Sequence, residues 1–170
     1  WEQGLSGRSL LLGHTRLVDE FIAACFAGAG DARKDETVAL VALGGYGRQE
    51  LFPFSDVDLM VLYSPDYSRE VRAIADAILY PLWDSGMEVG HGVRTIAESL
   101  QHAQEDYFFQ VALLDARLVA GSSDLFNTLM AGFREKFIDG QRDLFVEQMK
   151  DHRRRRRNRF GHHSYLLEPH

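Results

Sequence analysis

A single cysteine, Cys25, is present among the 170 residues, and it stands in an apolar run. One thiol excludes an internal disulfide and a cysteine-built zinc centre, and it favours a reducing, cytoplasmic setting. Cys25 is read as a core residue rather than a nucleophile. The sequence also lacks any uninterrupted apolar run of about 18 residues, so no membrane span is expected. Excess positive charge is missing too: the formal net charge is −6. That balance speaks against a nucleic-acid partner held by an overall basic surface. No internal repeat and no low-complexity tract appear. The first residue is Trp1 and no basic leader with an apolar segment follows it, so both ends read as cut points in a longer chain.

What is present suits one domain, or one domain with an incomplete appendage. The hydrophobic share is 45%, enough for a true core. Leu10, Leu11, Leu17, Val18, Phe21, Ile22 and Cys25 recur near helical spacing and predict a helix over Ser9 to Gly28. Val38 to Leu43 is a short apolar run stopped by Gly44-Gly45, the pattern of a buried strand. One or two helical turns over Tyr46 to Leu51 end before Pro53. Asp56 to Tyr63 alternates as a second strand. Ser68 to Ser85 is an amphipathic helix with Gly86 beyond its end. Met87 to Arg94 is a third strand, and Thr95 with Glu98 forms a capping box that opens a helix. From there to Arg159 the pattern reads as helices only, broken at Gly121 and near Gly140.

The expected fold class is therefore α+β: a small mixed β-sheet with flanking helices, followed by a helical region. Three regions are expected: an N-terminal helical segment over 1–35, a sheet core over 36–98 and a helical region over 99–170.

The chemistry concentrates between Leu43 and Tyr63. Asp56 and Asp58, two apart on a strand, face one side about 6.5–7 Å apart along the chain. Carboxylates so placed repel each other beside apolar neighbours, and a divalent cation relieves that repulsion. Hard oxygen donors with positions left for water and phosphate suit Mg²⁺. Gly44 and Gly45 end the preceding strand, where backbone amides can approach phosphates closely. Ser55 caps the turn before Asp56 or orients a carboxylate. Arg48 pairs with a phosphate or with Glu50. Either half of this segment alone is commonplace; the glycine pair, the aspartates and the two apolar strands together point to metal-dependent nucleotidyl transfer.

Those residues resemble a known signature. Gly44-Gly45 followed by Asp56-Val57-Asp58 is similar to the motif of the DNA polymerase β-like nucleotidyltransferases. The longer string from Gly44 to Leu59 resembles the bifunctional PII uridylyltransferase/uridylyl-removing enzyme family, as do the segments Leu82 to Thr95 and Tyr165 to Pro169. Gly92, where Ser is expected, and His170, where Asn is expected, are small departures. The resemblance implies a nucleotidyltransferase fold. It also implies transfer of UMP from UTP to a tyrosine of the PII signal protein, with Mg²⁺ or Mn²⁺ and release of pyrophosphate. HD and ACT domains are implied as partners elsewhere in the full-length protein. Asp56 and Asp58 would hold metal, and Gly44, Gly45, Arg48 and Ser55 would contact the nucleotide. The superfamily uses a third carboxylate on a neighbouring strand, for which Glu88 is the candidate, unless it pairs with Arg94. An adenylyltransferase, or a regulatory module that binds nucleotide or PII without turnover, is the alternative.

Three further features receive bland readings. His91 is a packed strand histidine. Leu125, Phe126, Leu129 and Met130 face a core by spacing. The run Arg153 to Arg157 is a solvated helix face or an inter-domain contact rather than a nucleic-acid site.

Overall fold

A computed structural model describes residues 6–30, 33–139, 146, 147, 150 and 154. The chain divides into two compact units, one up to Met130 and one from Ala131 onward. The break expected near Gly140, the arginine run (Arg154 apart) and the segment Tyr165 to Pro169 lie outside the described residues.

The first unit opens with α1 (Gly7–Gly28), whose N-cap Ser6 accepts a hydrogen bond from the Ser9 amide at 3.2 Å. Thr15, Val18, Ile22 and Phe26 form its buried stripe, at spacings of three and four. Leu10 and Leu17 lie off that stripe and stay exposed. A single turn, α2 (Lys34–Thr37), leads into β1 (Val38–Ala42), then α3 (Gly44–Gly47) and β2 (Val57–Tyr63). α4 (Val71–Asp84) crosses over to β3 (Val89–Arg94). α5 (Ile96–Glu105), α6 (Tyr107–Leu114), β4 (Arg117–Gly121) and α7 (Ser123–Phe133) follow.

The sheet order is β3-β2-β1-β4. β2 and β4 flank β1 antiparallel, and β3 runs parallel to β2, which is why a helical crossover must join that pair. Every residue of β1 is fully buried, so it reads as an unbroken apolar run rather than an alternation. Val18, Ile22 and Phe26 of α1, and Ile74, Ile78 and Leu82 of α4, pack on the face that carries Leu40, Leu59 and Val61. On the opposite face Ser99 of α5 reaches Met60.

Two expectations are corrected. The stretch after Thr95 is not helical throughout: β4 completes the sheet beside β1. Its five residues follow Leu113-Leu114 and precede Leu125, so a helical period runs across them by coincidence. Gly121 is the strand's end, not a break between helices. The helix after the capping box also stops at Asp106, whose carboxylate caps α6 by accepting from the Phe108 amide at 2.8 Å. The Thr95–Glu98 box itself is present, with the Thr95 amide 2.7 Å from Glu98 Oε2. Among the described residues no helix is long and apolar enough to cross a membrane. In the second unit a short π-type helical segment, Arg134–Ile138, brings the Phe133 and Phe137 rings to 5.3 Å.

Gly121 has φ +86°, and a Cβ there would meet the Val38 carbonyl oxygen at 2.2 Å. Gly121→Ala should therefore destabilise the fold by ~2–3 kcal/mol, read as a lower urea midpoint with an unchanged slope.

Candidate functional site

The site forms where β1 ends. The Leu43 amide bonds to the Asp58 carbonyl at 3.0 Å, after which the chain leaves the sheet through Gly44, at φ +52°. Only glycine enters the left-handed region at no steric cost, and that conformation starts the α3 turn beside Asp58. Bonds from Gly47 to the Leu43 carbonyl and from Arg48 to the Gly44 carbonyl, at 2.9 and 3.0 Å, close the turn.

A clamp fixes it from behind. Arg117 at the start of β4 grips Asp19 of α1 through both terminal nitrogens, at 2.9 and 3.0 Å. The same guanidinium donates to the carbonyls of Tyr46 and Gly47, both at 3.2 Å. The Tyr46 hydroxyl donates to Asp19 at 2.6 Å. Burial, then the bond to Asp19, pushes the phenol well above its ordinary pKa, so it stays a donor at all relevant pH.

The chain next returns to α1, where Leu51 is pinned: its amide reaches Thr15 Oγ1 at 3.4 Å and its carbonyl lies 3.0 Å from His14 Nδ1. A turn over Phe52 to Ser55 then projects outward, with Phe54 fully exposed at φ +68°. The Ser55 hydroxyl donates to the Phe52 carbonyl at 2.8 Å, so it caps the turn, one of its two expected roles.

Asp56 and Glu88 stand one residue ahead of their strands rather than within them. The parallel ladder already reaches them, for the Val57 amide bonds to the Glu88 carbonyl at 2.8 Å. The β2–β3 register sets Gly90 beside Asp58. A Cβ on Gly90 would stand 2.6 Å from Asp58 Oδ1, and one on Gly44 3.5 Å from Oδ2. The carboxylate therefore projects between two bare stretches of backbone. Partial burial, then the charge of Asp56, raises the Asp58 pKa above the ordinary carboxylate value. Neither aspartate forms an ion pair or side-chain hydrogen bond among the described residues.

This donor set fits a hard divalent cation. Two mutually repelling carboxylates offer oxygen, and the space beside Asp58 is one that a side chain at 44 or 90 would narrow. Mg²⁺ needs no more than one or two carboxylates from the protein when phosphate and water fill the other positions. Among the described residues no three His, Cys, Asp or Glu side chains converge to hold a metal unaided, and Glu88 does not join the pair in such a group. Glu88 lines a cavity of about 370 Å³ together with His14, Leu51, Ser55, Val57 and Met87.

Arg48 pairs with Glu50 at 2.9 Å and with Asp115 at 2.6 Å, which ties α3 to the end of α6. His91 is exposed rather than packed in the interior, with its ring edge-on to Trp83 at a centroid distance of 5.4 Å. Asp19, Tyr46 and Arg117 were not expected at the site. Asp19 and Arg117 are 98 positions apart, and no local spacing links them. No sequence signal singles them out, since Glu20 adjoins Asp19 and Asp115 stands two residues before Arg117.

Among the curated proteins that match the chain, three are each named "Bifunctional uridylyltransferase/uridylyl-removing enzyme". That of Novosphingobium aromaticivorans is 34% identical over 91% of this chain. That of Nitrosospira multiformis is 36% identical over 99%, and that of Bradyrhizobium sp. 36% over 89%. The chain spans less than a fifth of each relative, 17%, 19% and 17% respectively. No family model matches it. A solved structure titled "Crystal structure of the toxin-antitoxin with AMP-PNP" aligns at 11% identity over 78% of this chain and 98% of that one, with a TM-score of 0.45, too loose a likeness to define a shared fold.

Two outcomes follow from this geometry. Because the folded pKa of Asp58 is raised, its ionised form opposes folding; the penalty is full above the folded pKa and vanishes below the unfolded value. Asp58→Asn should therefore raise the thermal midpoint in metal-free buffer at pH 7, with the gain disappearing as pH falls through the carboxylate range. Arg117→Met should cost ~2–3 kcal/mol in chemical denaturation, since Asp19 is left without its cation.

Proposed function

We propose that the chain, which is similar to one segment of the bifunctional uridylyltransferase/uridylyl-removing enzymes, transfers UMP from UTP to a tyrosine of the PII signal protein, with release of pyrophosphate. The observation that carries the reading is the Asp58 carboxylate, close to Asp56 in charge and bordered by the bare backbone of Gly44 and Gly90.

Asp56 and Asp58 would hold Mg²⁺ or Mn²⁺, which when bound neutralises the triphosphate and favours the ionised form of the attacking hydroxyl. The amides of Gly44 and Gly45, in a turn too short to satisfy them internally, face the β- and γ-phosphates. Ser55 borders the same region, and its hydroxyl oxygen retains accepting capacity while it donates to Phe52. Arg48 adds positive charge beside the glycine turn while it is held by Glu50 and Asp115. The tyrosine oxygen attacks the α-phosphorus in line, the bond to pyrophosphate breaks, and the phenolic proton leaves. Glu88, which the register brings alongside Asp56 but which does not converge with the two aspartates into a three-carboxylate metal group, is in this reading the group to receive that proton. The rigid clamp behind α3 holds the cradle in place before substrate arrives, which limits the ordering cost of binding.

The test is incubation of the chain with a PII protein and labelled UTP or ATP, with and without Mg²⁺. Label should pass from UTP alone and only with the cation. Asp56→Asn and Asp58→Asn should each lower transfer by ~100-fold or more while the circular dichroism spectrum is kept. Transfer retained by either variant sinks the assignment; label from ATP identifies an adenylyltransferase, and binding without transfer a regulatory module.

A further inference from the structure

One cation on the Asp58 face has no task in the reaction as described. The β2–β3 register sets Gly90 beside Asp58, Gly92 beside Met60 and Arg94 beside Leu62, so all three β3 residues share the Asp58 side of the sheet. The Arg94 side chain turns back along its own strand. A Cβ on Gly92 would stand 1.7 Å from Arg94 Nη1 and 2.8 Å from Cζ, so the guanidinium fills the space that any other residue at 92 would occupy. Gly92 lies one two-residue step, about 6.5–7 Å, from Gly90. Phe109 of α6 backs the guanidinium, with the ring centroid 5.2 Å from Cζ, a cation–π contact.

Arg94 forms no ion pair among the described residues. Glu98, whose carboxylate feels the Arg94 charge only after its bonds to Thr95, accepts from the amide and hydroxyl of Thr95 at 2.7 and 2.9 Å. A half-buried guanidinium that stacks on a ring and makes no ion pair keeps its donors for an anion.

The side of Asp58 on which it sits decides which anion. Gly44 borders Asp58 from the β1 edge and Gly90 borders it from the β3 edge, with Gly92 and the Arg94 guanidinium next along β3 on the same face. A triphosphate with its β- and γ-groups over the glycine turn and its α-phosphorus over Asp58 turns its α-oxygens toward β3. We propose that Arg94 binds the phosphoryl group undergoing transfer, at the nucleoside end of the triphosphate and not at the pyrophosphate end. This rests on the nucleotidyl-transfer reading above. The planar fork of the guanidinium matches two oxygens of one phosphoryl group, and the missing side chain at Gly92 is what lets it lie back along β3.

The test uses the 170-residue chain with Mg²⁺ and two probes in titration calorimetry: α,β-methylene-UTP, which cannot be cleaved at the reacting bond, and inorganic pyrophosphate. Arg94→Ala should weaken the nucleotide analogue about 10- to 100-fold and leave pyrophosphate within about twofold. Gly92→Ala keeps the arginine but displaces its guanidinium, and it should reproduce the selective loss. Arg94→Lys should recover part of the affinity, since the charge returns without the fork. Thermal midpoints establish that each variant is folded. Unchanged analogue binding in Arg94→Ala overturns the proposal, and so does an equal loss for both probes. If the parent chain binds both probes in an Asp58-dependent way while Arg94→Ala behaves like the parent, the Arg94 assignment alone falls. If the parent binds neither probe, the nucleotidyl-transfer reading falls and takes this inference with it.

Discussion

The ion pair between Arg117 and Asp19 is the interaction on which the rest of the site depends. It joins the first helix to the last strand of the sheet, and its spare donors hold the carbonyls of the glycine turn between them. Breaking a partly buried pair leaves the survivor's charge uncompensated, which costs more than the pair's formation contributes. The geometry of the turn is thus tied to global stability: α3 cannot drift from Asp58 without releasing α1 or β4. A four-residue helix has little stability of its own, and this one is placed by tertiary contacts rather than by propensity.

Against that rigid support the site stores an opposing term. Asp58 is held near a second carboxylate and partly withdrawn from water, and no basic side chain answers either group among the described residues. The folded protein therefore carries a local electrostatic cost that a cation would remove. Costs of this kind gather at functional sites because the remaining structure can absorb them. Gln49 and Phe54, the two non-glycine residues at positive φ among those described, fall in the same short connection between the glycine turn and Asp56.

The sheet's first three strands, the capping box and the Gly86 helix end were legible in the sequence, because each follows from a local rule of period, cap or breaker. β4 was not, since five residues with a helical pattern on both sides carry no period of their own, and the partner that makes them a strand lies about eighty positions earlier. The site divides along the same line. Gly44, Gly45, Asp56 and Asp58 lie in one short segment whose spacing speaks for itself. Arg117 and Arg94 reach the site through the sheet, whose register exists only once strands pair, and Asp19 reaches it from α1 through its bond to Arg117. Ser55 shows a further limit: its position was readable, but its bond to Phe52 depends on a turn that the sequence leaves undetermined.

The end of α4 illustrates what such register demands. Gly86, at φ +80°, donates to the Trp83 carbonyl at 2.9 Å, and the Met87 amide reaches back to Leu82 at 3.2 Å. Two residues later β3 begins against β2. The cap thereby acts as a ruler. Adding or removing one residue between Ser85 and Val89 would shift β3 by one place and turn every side chain to the other face. His91 or Val89 would then stand where Gly90 leaves Asp58 its space, and Arg94 would point toward the core. The hydrophobic fold tolerates many exchanges of one apolar residue for another, yet at this corner it has almost no tolerance for a change in length.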